Sequence, residues 1–338
     1  MREALPNRVT YGKTLVELGE ADPRIVVLDA DVSKSTNTCQ FRERFPDRFF
    51  NMGIAEQNML GAAAGLASAG LIPFASTFAV FASMRACEQL RTSIAYPGLN
   101  VKLVATNAGV ENHGDGVTHQ AVEDLAIMRA IANMVVLSPS DPVTTRLATL
   151  AAARLSGPVY MRLGRDANNA THREDVKFEI GKMIELREGN DITLIATGRC
   201  VEHALGAAEE LASAGIRARV LDCHTIKPID TAQIIRAAQQ TAGIVTAEDH
   251  NIIGGLGGAV CEVVTSECPT VVKRVGLADR FASSGRSSSE LLAHFHIDHH
   301  EIIRRAKEVL AQRSSCSFRR LQDLERRDAP RQSGGIAE

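Results

Sequence analysis

Short apolar runs alternate with helix-like stretches along the first half of the chain, and this alternation leaves few architectures open. Runs at 25–30, 74–78, 101–105, 134–137 and 159–163 are short, apolar and rich in β-branched residues, as strands require. Helical patterns near 9–20, 56–69, 82–95, 121–132 and 142–155 separate them. Strands joined through helices can only run parallel, with the helices covering both faces of the sheet. After the polar stretch 166–190, read as a connection with one hairpin, a second set of runs follows at 191–198, 218–221, 243–246 and 271–275. The expected fold class is therefore α/β: two three-layer α/β/α domains, the first with a mainly parallel sheet and the second smaller. Expected boundaries are 1–175 for the first domain, 176–190 for the linker and 191–312 for the second domain. Residues 313–338, charged and then rich in Pro, Gly and Ser, read as a disordered tail.

Composition narrows the function classes. The 338 residues are 45% hydrophobic and 23% charged, with a formal charge of −2, so there is no surplus of either sign to draw nucleic acid or a membrane surface. No apolar stretch approaches the roughly 20 residues of a membrane span, and the first residues, MREALPNRVTYG, have no apolar signal core. The seven cysteines are odd in number, scattered and without a CxxC pair, which argues for reduced thiols, a cytoplasmic location and no metal site. Small-molecule chemistry is the class left standing.

That chemistry is expected around residues 51–81, NMGIAEQNMLGAAAGLASAGLIPFASTFAVF. Glu56 opens a helix after the turn-like Asn51-Met52-Gly53, and the run up to Gly70 is nearly all small or apolar. A carboxylate entering such a segment is costly to bury unless it is paired, protonated or in use. So many Ala and Gly positions point to close backbone approach, as at a subunit seam. Phe78 and Phe81 follow three apart, and with only 4% aromatic residues each such ring is informative. In α/β folds ligands sit beyond the C-terminal ends of the strands. The polar stretches 31–35 and 107–119 fall there. The glycine-rich turn Gly254-Gly255-Leu256-Gly257-Gly258 lacks the Lys-Ser/Thr of a P-loop and reads as tight strand-to-helix packing.

Gly53-Ile54-Ala55-Glu56-Gln57-Asn58, Ser76-Thr77-Phe78 and Gly114-Asp115-Gly116-Val117-Thr118-His119-Gln120 together resemble the pyrimidine-binding half of a transketolase, over about residues 8 to 310. The resemblance implies thiamine diphosphate as cofactor. It makes Glu56 the catalytic carboxyl group that hydrogen-bonds the cofactor's pyrimidine, and Phe78 and Phe81 the rings that stack on it and flank it. Met84 stands where the family often has a further aromatic. The same resemblance makes Asp115 and His119 contacts to substrate, His119 also being a candidate proton shuttle, and assigns Arg8, Ser35 and Arg165 to a sugar-phosphate grip. Two guanidinium forks and a hydroxyl suit a tetrahedral anion. Asn107 departs from the histidine of many transketolases, which leaves a phosphorylated substrate in question; His113 is a few residues on. His250 reads as a turn or interface residue.

Gly114-Asp115-Gly116 imitates the start of a diphosphate-and-magnesium motif, but 138–146 reads Ser-Pro-Ser-Asp-Pro-Val-Thr-Thr-Arg where an Asn-rich end is expected. Mg²⁺ is therefore expected to be bound mainly through another chain. The resemblance implies the C-terminal subunit of a split transketolase, paired with an N-terminal subunit in an α₂β₂ assembly and moving a two-carbon ketol unit from a ketose to an aldehyde. Rival readings are the β-subunit of a 2-oxoacid dehydrogenase decarboxylase, a deoxyxylulose phosphate synthase-like acyloin former, and a non-catalytic regulatory subunit. Donor and acceptor stay open.

Overall fold

Most of the apolar runs become strands buried on both faces. The computed structural model describes residues 4–312, and the expected tail at 313–338 lies outside the described residues. In chain order the strands are β1 (Leu5–Pro6), β2 (Ile25–Asp29), β3 (Phe49–Asn51), β4 (Ile72–Phe78), β5 (Lys102–Thr106), β6 (Val135–Leu137), β7 (Val159–Arg162), β8 (Ala167–Asn168), β9 (Ile184–Arg187), β10 (Ile192–Ala196), β11 (Ala218–Asp222), β12 (Thr225–Lys227), β13 (Ile244–Asn251) and β14 (Val272–Leu277). The first sheet has the order β12-β6-β7-β5-β4-β2-β3 and is parallel except where β12 joins β6. The second has the order β14-β13-β10-β11-β9, with only β9 antiparallel.

Alternation along the strands builds the layers. In β2, Ile25 and Val27 join one apolar cluster with Tyr11, Phe74 and Ala148, while Val26 and Leu28 join another with Met59, Leu90 and Leu125. The first cluster is covered by helices Asn7–Ala21 and Pro142–Arg154, the second by Glu56–Ser68 and Asp124–Ala130. The second sheet repeats the scheme: Leu194 and Val220 face helix Cys200–Ser213, and Ile195 and Leu221 face helices Thr231–Gln240 and Leu256–Glu267. One cluster contains Met59 and Leu103 from the first unit and Ile195 and Val260 from the second, so the two units share a core.

One expectation needs correction. The polar stretch 166–190 forms no hairpin: β8 pairs with β1, and β9 pairs with β11. β9 adds to the edge of the second sheet, whereas β8 forms a separate two-stranded ribbon with β1. From the second unit, β12 reaches over to pair with β6 at the edge of the first sheet, a crossing between the two units.

A wholly buried ionic cluster fastens this crossing. Asp141 caps helix Pro142–Arg154 by accepting from Thr144 N at 2.8 Å, and its other oxygen lies 3.2 Å from His172 Nδ1. His172 Nε2 is 3.3 Å from Asp222, which accepts from Ser140 Oγ at 2.7 Å. Burial pushes Asp222 up to about 7. Burial opposes charge on His172, but the hydrogen bond to Asp141 and the fields of both carboxylates raise it on balance. An acid that ionises near 7 when folded and near 3.9 when unfolded contributes stability that is lost as pH rises through that window. His172, raised, loses its contribution in the same direction. Wild type is therefore expected to lose thermal stability relative to Asp222→Asn as pH rises from 5 to 7.5. Melting curves of the two proteins check this, and a constant difference would contradict it.

Candidate active site

The turn Asn51-Met52-Gly53 aims the helix that carries Glu56. Gly53 is left-handed at φ +70° and donates its N–H to Asn51 Oδ1, and Asn51 Nδ2 in turn donates to Asp31 beyond β2. Glu56 is the first residue of helix Glu56–Ser68 and only 2% exposed. It does not cap its own helix. Both carboxylate oxygens accept instead from Arg85 Nη1, at 3.1 and 3.0 Å. Arg85 closes the π-helical turn Phe81–Arg85, a local register seen often at functional sites, and its guanidinium lies 4.2 Å from the centre of the Phe81 ring.

The structure gathers Phe78, Phe81 and His119 into one aromatic wall. The two phenylalanines are stacked at 6.1 Å and 20°, and the His119 ring meets them edge-on at 6.3 and 5.2 Å. His119 Nδ1 is 2.9 Å from Thr118 Oγ1. Met84, one residue before Arg85, is 44% exposed at the rim. Asp115 lies exposed, and among the described residues no hydrogen bond joins it to His119.

Arg8, Ser35 and Arg165 also converge. Arg8 Nε donates to the Arg165 carbonyl at 3.1 Å and its Nη1 to the Ser35 carbonyl at 2.9 Å, while Arg165 Nη1 donates to Asn112 Oδ1 at 3.2 Å. Burial and the neighbouring Arg165 charge lower the pKa of Arg8. Two cations held together in this way favour an anion. Asn107 is buried in the left-handed region at φ +59°, and its Oδ1 has no hydrogen-bond partner among the described residues. His113 does not replace the missing histidine, because its Nδ1 is held against the Gly285 carbonyl of the second unit at 3.3 Å.

Sequence reading missed the supports of this loop. Asp249 accepts from Val110 N at 3.1 and 3.0 Å, and a Cβ on Gly109, left-handed at φ +70°, would lie 1.9 Å from that carboxylate. Glu111, pushed up to about 7 by burial, accepts from Asp166 N at 2.7 Å beneath Arg165. Gln120 Nε2 donates to the Ser283 carbonyl at 3.0 Å, so a loop of the second unit clasps 107–120. Arg85 was overlooked as well, although it is the only cation in the F-x-x-F-x-x-M-R run. His250 lies buried one residue before the end of its strand, its Nδ1 2.7 Å from the Asn251 carbonyl. The glycine turn is a packing device: Leu256 and Gly257 donate to the Glu248 carboxylate at 2.6 and 2.8 Å, and a Cβ on Gly255 would lie 1.9 Å from it.

The chain thus presents a buried acid at a helix start, a pair of stacked phenyl rings and a pair of arginines suited to an anion. Residues 3–170 match the model of the transketolase pyrimidine-binding domain and 181–302 that of the transketolase C-terminal domain. A Methanocaldococcus jannaschii protein described as a transketolase C-terminal section is 49% identical over 306 residues, 90% of this chain and 96% of the relative. A 6-deoxy-6-sulfo-D-fructose transketolase subunit of a Clostridium species is 44% identical, over 89% of this chain and 94% of its own. A solved structure titled split gene transketolase, inactive beta4 tetramer, superposes with a TM-score of 0.84 at 48% identity, over 91% of this chain and 99% of that one. The chain belongs to the transketolase family and corresponds to the C-terminal section of a split transketolase. Membership implies thiamine diphosphate, and the site fits its pyrimidine: Glu56 offers a buried carboxylate and Phe78 and Phe81 offer ring faces. Among the described residues no helix is long and apolar enough to cross a membrane.

Proposed function

We propose that this chain supplies the pyrimidine side of a transketolase centre, with Glu56 the catalytic carboxyl group and a separate N-terminal subunit completing an α₂β₂ enzyme. The observation that carries the reading is Glu56, buried at its helix start and paired with an arginine that lies over the Phe81 ring. When bound, thiamine diphosphate supplies the carbon that accepts the two-carbon ketol unit. Glu56 would share a proton with the pyrimidine N1′ and so set which tautomer the ring adopts. Phe78, Phe81 and Met84 would pack on the ring and keep water from it. His119 would hold or move a proton at the substrate oxygen, and Asp115 would meet a substrate hydroxyl.

The Arg8–Arg165 pair, with Ser35, suits a tetrahedral anion on the sugar, phosphate or sulfonate alike. A relative named for a sulfonated sugar supports this breadth. Mg²⁺ and the diphosphate are assigned to the partner subunit. In support, Asp141 of the 138–146 stretch is committed to its helix cap and His172. The exposed apolar residues Ile54, Met84 and Val117, each at or within two residues of a site residue, are the surface that a partner would cover.

Calorimetry of thiamine diphosphate with Mg²⁺, on this chain alone and on its complex with a co-expressed N-terminal subunit, tests the reading. Binding only in the complex is the expected result. No binding in the complex would overturn it.

A further inference from the structure

The contact between Arg85 and Glu56 points beyond the reading above while resting on it. We propose that Arg85 is an internal stand-in for the cofactor's pyrimidine, holding Glu56 in place until the ring displaces it. The guanidinium is planar, donates N–H to both Glu56 oxygens and lies flat enough on Phe81 to bring its carbon within 4.2 Å of the ring centre. A pyrimidine bound here must use the same two features, the carboxylate edge and the Phe81 face. Arginine and ring therefore compete for the same atoms.

Three further observations fit a displaceable occupant. Glu56 is almost wholly buried and has no other hydrogen-bond partner among the described residues, so without Arg85 the lone chain would hold an unpaired buried carboxylate. The Arg85 side chain is 47% exposed, which leaves it a path into solvent. Among the described residues Glu56 is also the only hydrogen-bond partner of the Arg85 side chain, so besides the contact with the Phe81 ring no other interaction of the guanidinium must break when it leaves.

The test measures thiamine diphosphate affinity with Mg²⁺ by calorimetry on the two-subunit assembly, and melting of the lone chain. Arg85→Met keeps the stem and removes the donors. It is expected to bind cofactor about tenfold more tightly than wild type, since charge-assisted hydrogen bonds no longer have to be broken. Arg85→Lys, a compact cation without the planar fork, should fall between the two and serves if the methionine variant folds poorly. The lone Arg85→Met chain should melt below wild type, and adding Glu56→Gln should restore much of the loss by removing the orphaned charge. Unchanged or weaker cofactor binding in both variants, with wild type binding normally, would overturn the stand-in and leave the catalytic reading intact. Failure of the wild-type assembly to bind cofactor would overturn both.

Discussion

Glu56→Gln is expected to lower ketol transfer by the assembled enzyme by about 10² to 10⁴, the range typical of losing a positioned proton-transfer group. The two side chains have nearly the same volume, and the site surrounds Glu56 almost completely. Glutamine can therefore occupy the space, yet it cannot share a proton with a ring nitrogen, and its amide offers one acceptor where the carboxylate offers two. Folding should survive, because the substitution removes a buried charge and leaves Arg85 half in solvent, where it can be hydrated. Steady-state ketol transfer measured beside the circular dichroism melt separates the two effects. Full activity in a folded Glu56→Gln enzyme would remove Glu56 from the chemistry and return it to a purely structural pairing with Arg85.

The parts of this site legible in the sequence are those where local chemistry is decisive. β2, β4, β5 and β10 are buried along their whole length, so most of their side chains are apolar and the runs stand out. The turn before Glu56 and the F-x-x-F spacing are equally local. β3 and β12 have only three residues each, and their pairing is decided by which sheet edge is open. Nothing within three residues can encode that. Arg85 was hidden for a different reason: an α-helical register was expected over 82–95, whereas the segment contains two π-helical turns at Phe81–Arg85 and Leu90–Ala95. Asp249 and Glu111 look like ordinary polar residues until the second unit packs against the 107–120 loop. The role of Asp249 exists only between units, and that of Glu111 joins two loops distant in sequence.

Arg8→Ala is expected to raise KM for a phosphorylated or sulfonated ketose by about 10- to 100-fold with little change in kcat, the pattern of an interaction made equally in ground and transition states. Arg8 bridges the carbonyls of Ser35 and Arg165, which fixes two separate loops, while burial and the Arg165 charge strain its own ionisation. A bound phosphate or sulfonate would relieve that repulsion through two forks at once. The choice of substrate then distinguishes grip from scaffold. With an uncharged ketose lacking the anionic group, Arg8→Ala and wild type should differ by less than about threefold, because no full charge is left for the guanidinium to meet. Arg8→Lys should recover only part of the loss, since an ammonium cannot hold two carbonyls and an anion in one plane. Equal losses with charged and uncharged substrates would mean that Arg8 acts by holding the Ser35 and Arg165 loops, and would move the anion site elsewhere on the cleft.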